Sequence, residues 1–85
     1  MKKEKEFDKS EFLKKLGANL VKVRKQEKVT QEQLSFESKV GRRTIQHIEK
    51  GLQEPGIVSL VKIVKVLGVD ITEIVPVEKK DKDKK

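Results

Sequence analysis

The chain has 85 residues, 41% of them charged and 34% hydrophobic, with 21 Lys and Arg against 14 Asp and Glu, a formal charge of +7. This length allows one small domain with a modest core. The lack of Cys excludes a disulfide framework, a thiolate zinc site and a Cys nucleophile, and no apolar run approaches the ~18 residues that read as a membrane span.

The charge is uneven. Residues 1–10 carry four Lys and three acids, residues 11–75 carry twelve basic and eight acidic residues, and residues 76–85 carry five Lys and three acids. These segments contribute +1, +4 and +2. Residues 1–6 and 78–85 have too few apolar positions to bury and read as disordered charged tails. Lys2, Lys3 and Lys5 precede no apolar stretch, so no signal peptide is expected. A globular domain is expected over 7–77.

The first helix starts near Asp8 or Ser10, because Asp8 followed by Glu11 fits a capping box. Phe12, Leu16, Leu20 and Val23 then recur at helical spacing. Gly17 interrupts them at a cost of about 1 kcal/mol relative to Ala, which implies close approach of a neighbouring helix. The pattern stops near Lys28. Thr30 and Gln33 form a second capping box for a helix over about 31–38, with Leu34 inward. A turn at Lys39, Val40 and Gly41 leads to a third helix over about 42–49, with Ile45 and Ile48 inward. Gly51 supplies its stop. A fourth helix spans about 57–67, with Ile57, Leu60, Ile63, Val64 and Leu67 on one face. Gly68 ends it, and Asp70 caps a last short helix through about Val75. The expected fold is all-α, with five helices.

Two short helices joined by a tight turn are the mark of a helix-turn-helix, expected at about 31–50. The second helix must pack across the first while one face stays free for the DNA major groove. Counting from Gln31 as position one, Leu34, Val40, Ile45 and Ile48 fall at positions four, ten, fifteen and eighteen, and the small Ser35 falls at five. The basic excess agrees with an anionic partner.

The stretch from Leu16 to Val75 resembles the phage Cro and repressor, or XRE, family of bacterial helix-turn-helix domains. The resemblance is carried by LGANLVKVRKQ, VTQEQLS, VGRRTIQHIEKG, EPGIVSLVKIVKVLGV and DITEIV, in that order. Within that family, the size is similar to that of restriction–modification controller proteins and small phage repressors. The resemblance implies a lambda-repressor-like domain, a bacterial or phage cytoplasmic setting with nucleoid association when bound, and double-stranded DNA as partner. Lys39 stands where the family commonly has Gly in a left-handed turn, a cost of around 1 kcal/mol if that conformation is kept. Gly41 replaces a common capping residue, and Ser38 replaces a frequent larger apolar one.

By the same resemblance, Arg42, Arg43 and His47 occupy base-reading positions, with Gln46 and Thr44 close by. Arg can bind guanine O6 and N7 with two hydrogen bonds. Gln31, at a helix N-terminus suited to anions, corresponds to a phosphate contact. So do Lys50 and Gln53 in the loop after the third helix, and Lys39 in the turn. Arg24 and Glu49 match a structural ion pair that clamps the recognition helix. The plainer alternatives are a solvated basic face for the Arg pair, a first-turn Gln, and two unrelated charges for Arg24 and Glu49.

No Ser–His–acid motif, Gly-rich phosphate loop or metal-spaced carboxylate cluster is visible, so neither an enzyme nor a cofactor is expected. His47 is the only His and has no partner for a metal site. Phe7, Phe12 and Phe36 read as core or staple residues, not stacking platforms for single strands. A single recognition helix covers too few base pairs for genomic specificity, so a two-fold dimer on a pseudo-palindrome is expected. Val69, Ile71, Ile74, Val75 and Val77 are the candidate dimer surface. The alternatives are an antitoxin that binds a toxin through its tails or first helix, and a protein-interaction module that reads no DNA. Arg42 and Arg43 speak against the second.

Overall fold

The computed structural model describes residues 6–77, which form four α-helices and a 3-10 turn. The tail expectations for 1–6 and 78–85 lie outside the described residues, Glu6 excepted. Helix α1 (Lys9–Gln26) begins where the Asp8 Oδ1 accepts the Glu11 N–H at 3.1 Å. Phe7 and Phe12 meet across this cap, with ring centroids 5.2 Å apart, as in a hydrophobic staple. At the other end Lys28 turns left-handed, φ 59°. The Lys28 and Val29 N–H groups then return to the Lys25 and Arg24 carbonyls, both at 3.0 Å. This closes the helix as a Schellman motif without Gly.

Helix α2 (Gln31–Ser38) starts on the Thr30 hydroxyl, which accepts the Gln33 N–H at 3.0 Å. Helix α3 (Arg42–Glu49) follows a three-residue turn, and helix α4 (Ile57–Leu67) follows the loop after Gly51. The expected fifth helix is only a 3-10 turn, Ile71–Glu73, held by the Asp70 carboxylate, which accepts from the Thr72 N–H and hydroxyl.

The core among the described residues draws on all four α-helices and two connecting residues: Leu16, Leu20 and Val23 of α1, Leu34 of α2, Ile45 and Ile48 of α3, four residues of α4, and Val40 and Ile74. Burying such side chains contributes about 1.5–3 kcal/mol each. Three expectations are corrected. Ile57 is 66% exposed, because it opens α4 before the helix meets the core. Phe36 is 74% exposed on the outer side of α2. Ile74 is wholly buried, and its carbonyl accepts from the Asn19 side chain at 3.0 Å. It therefore closes the monomer core and is no part of a dimer surface.

Gly17 explains how closely α1 and α3 cross. A Cβ there would lie 2.4 Å from the Ile48 carbonyl oxygen and 2.6 Å from that of Glu49. Both obstacles are backbone, so neither can rotate away. Gly17→Ala gains about 1 kcal/mol of helix propensity, but the clash costs about 1–3 kcal/mol or more. The expected outcome is a lower thermal unfolding midpoint. An unchanged or raised midpoint would contradict this crossing.

Candidate nucleic-acid interface

Helix α3 has two unlike sides. Ile45 and Ile48 face inward and are wholly buried. At about 100° per residue, Arg42, Gln46, Lys50, Arg43 and His47 fall within one stripe of roughly 140° on the other side. Arg42, Arg43 and Lys50 are exposed, and Gln46 and His47 are half-buried at its base. Thr44 is half-buried on the shoulder beyond His47. The Arg42, Arg43 and Lys50 part of the stripe is thus uncovered by the rest of the described chain.

The turn before α3 is built by serines. The Ser35 hydroxyl donates to the Val40 carbonyl at 2.7 Å, and the Val40 N–H donates to the Ser38 oxygen at 3.2 Å. This is how a small polar residue serves at position 38, where a larger apolar one is frequent. Lys39 keeps the left-handed conformation, φ 65° and ψ 22°. Its ammonium lies 5.1 Å over the Phe36 ring, an attraction of about 0.5–1 kcal/mol at an exposed site. That is comparable to the backbone strain of about 1 kcal/mol. After α3, Gly51 at φ 75° lets the Leu52 N–H return to the His47 carbonyl at 2.9 Å. Lys50 lies exposed before this reversal and Gln53 half-buried after it.

A buried polar network holds the inner edge of α3. Arg24 and Glu49 have side chains only 11% and 5% exposed. The Arg24 Nε donates to the Glu49 Oε2 at 2.6 Å and Nη2 to Oε1 at 3.1 Å, while Nη1 donates to the Val29 carbonyl at 3.0 Å. Gln31 Nε2 donates to the Glu49 Oε1 at 2.8 Å, and Gln46 Nε2 donates to the Gln31 Oε1 at 3.4 Å. A buried ion pair is tolerable only when geometry is good and its remaining sites are satisfied. Both conditions hold here, and no buried side-chain N or O atom among the described residues lacks a partner.

The links from Gln31 to Glu49 and from Gln46 to Gln31 are not predicted by the sequence. The expected phosphate contact, Gln31, has its side chain turned toward α3. Nothing in residue spacing signals this, because it depends on the rotamers of three helices.

Removing one partner from a buried pair leaves an uncompensated charge and costs about 3–5 kcal/mol. Glu49→Ala is expected to lower the melting temperature by more than 10 °C, on a scale of about 4–8 °C per kcal/mol for a domain of this size. It should do so before any change in base preference is seen. An unchanged melting curve would show that the pair does not brace α3.

The helix-turn-helix family pattern matches residues 20–74. No curated protein sequence matches the chain. Among solved structures, the fold is similar to the restriction–modification controller protein C.AhdI from Aeromonas hydrophila. The likeness has a TM-score of 0.70 at 27% sequence identity, covering 73% of this chain and 94% of that one. None of the described helices is long and apolar enough to cross a membrane. With the motif at α2 and α3 and Arg42, Arg43 and Lys50 uncovered on its outer stripe, the chain belongs to the XRE-type helix-turn-helix family of DNA-binding regulators.

Proposed function

We propose that this protein is a sequence-specific regulator of transcription that binds double-stranded DNA as a two-fold dimer, as a restriction–modification controller or phage-type repressor. The observation that carries the reading is the outward stripe of α3, with Arg42 and Arg43 exposed, Gln46 and His47 half-buried beside them, and Ile45 and Ile48 buried behind. In this reading α3 lies in the major groove. Arg42 and Arg43 are shaped for guanine O6 and N7, His47 and Gln46 for neighbouring base edges, and Thr44 for the flank. Lys50, Gln53 and Lys39 bind phosphate, as does the N-terminus of α2 at Gln31. The likeness to C.AhdI supports the controller assignment.

The dimer surface in this proposal omits Ile74. Ile71, Val75 and Val77 line an apolar groove of about 520 Å³ together with Phe7 and Ile57. Phe7, Ile57 and Val77 are each more than 60% exposed and stand together around that groove. Val69 lies half-buried behind the end of α4. A second copy on this face is the proposed partner, and a two-fold dimer of this kind reads half-sites one helical turn of DNA apart, ~34 Å.

Selection from a random duplex pool is expected to yield a pseudo-palindrome. Arg43→Ala should cost about 1–3 kcal/mol on the selected site and relax one position of it. Lys50→Ala should weaken all sequences alike and reduce the salt slope by about one unit. Binding with no sequence preference and no salt dependence would end this reading. Separately, Ile57→Glu and Val77→Glu are expected to sediment as monomers with near-normal melting. Dimers in both variants would place the interface elsewhere.

A further inference from the structure

The first half of α1 lies along the loop that follows α3. A Cβ at Gly17 would meet the Ile48 and Glu49 carbonyl oxygens. Further toward the start of α1, a Cβ at Gly51 would lie 3.1 Å from both the Cα and the Cγ of Lys14. Nearer still to that start, the Lys9 ammonium pairs with the Glu54 carboxylate at 3.1 Å. The loop thus runs antiparallel to α1, with the stem of Lys14 packed on Gly51. Lys14 is nevertheless exposed, and so is Lys50, the residue before Gly51. Neither lysine makes an ion pair with a carboxylate among the described residues. Spacing alone groups Lys14 with the other lysines of α1; the contact with Gly51 sets it apart.

We infer that Lys14 is a further phosphate-binding residue, which with Lys50 holds neighbouring phosphates of one DNA strand beside the recognition helix; this rests on the DNA-binding reading above. Helix geometry puts both lysines on the same side. On α1, Gly17 and Arg24 face the end of α3, and Lys14 lies about 60–80° round from them. That rotation leads away from Leu16, Leu20 and Val23, which are buried in the core. On α3, Lys50 lies about 100° round from Glu49, away from Ile45 and Ile48. Both lysines therefore flank the seam between α1 and α3 on its outer side, next to the stripe. Two ammonium groups on one short loop repel each other, and phosphates supply the counter-charge that the protein does not. Packing on Gly51 holds the Lys14 stem before binding, so less side-chain freedom is lost on docking.

The test measures binding of the full chain to its selected duplex between about 50 and 200 mM salt. Lys14→Met keeps the stem and removes the charge. It is expected to make the salt slope shallower by about 0.9, so that affinity falls about 3.5-fold less across that range, with base preference unchanged. Lys14→Gln should do the same without added apolar surface, and Lys14→Arg should keep the wild-type slope. Lys65→Met, on the exposed side of α4, makes the same change in net charge and should leave the slope as it is. Ethylation of single phosphates should interfere with wild-type binding at two neighbouring positions of one strand, one lost in Lys14→Met and the other in Lys50→Ala. A wild-type slope in both Lys14→Met and Lys14→Gln, with a reduced slope in Lys50→Ala, would overturn the inference and leave the DNA reading intact. So would an equal change in Lys65→Met, since net charge alone would then set the slope, or interference lost on opposite strands. Wild-type binding with neither sequence preference nor salt dependence would overturn both.

Discussion

The bidentate contact between Arg24 and Glu49 is the constraint on which the recognition surface depends. Helix α3 has eight residues, too few to persist alone in water. Ile45 and Ile48 bury its inner side, but apolar contacts alone leave a short helix free to roll. The ion pair ties its last residue to α1. The crossing at Gly17 makes this possible. Gly17 and Arg24 are seven residues apart and share one side of α1. At Gly17 the backbone carbonyls of Ile48 and Glu49 come nearly into contact with α1. The Glu49 side chain can then reach the guanidinium two turns further along. A bulkier residue at Gly17 would move the end of α3 and so strain the pair.

Much of the fold was legible because its boundaries are local chemistry. Asp8 with Glu11 and Thr30 with Gln33 place helix starts through hydrogen bonds spanning three residues. Gly51 and Gly68 mark ends where φ is positive. Spacing failed where the outcome was tertiary. Ile57 fits the apolar face of α4 by counting, yet among the described residues no element covers its side chain, which is exposed. Ile74 reads as surplus apolar surface, yet the 3-10 turn tucks it against α1. Lys28 adopts a left-handed conformation that nothing in a Lys-rich stretch announces.

The site shows the same division. The outward placement of Arg42, Arg43 and His47 follows from a period of 3.6 once Ile45 and Ile48 are taken as inward. The pairing of Arg24 with Glu49 came from family resemblance, since residues 25 apart in sequence have no periodic relation. The engagement of Gln31 with Glu49 and Gln46 was legible from neither source. It arises only once α2 and α3 have packed together, because the three side chains lie 15 to 18 residues apart in sequence.

Local rules are relaxed at the very end of the motif that meets the partner. Lys39 holds a strained conformation, and Gly41 begins α3 with no side-chain cap. The missing cap costs only a few tenths of a kcal/mol, because Gly itself is tolerated there. It leaves the first N–H groups of α3 without side-chain acceptors, at the helix end that enters the groove in the DNA-binding reading. Those groups carry the positive end of the helix dipole and suit a phosphate. A Ser or Asn at this position would satisfy them internally and compete with the nucleic acid. The strongest bracing thus sits at the C-terminal end of α3, on Glu49, and the N-terminal end stays polar and open. This arrangement fixes the C-terminal end of the helix on α1 and leaves its N-terminal N–H groups without a side-chain cap.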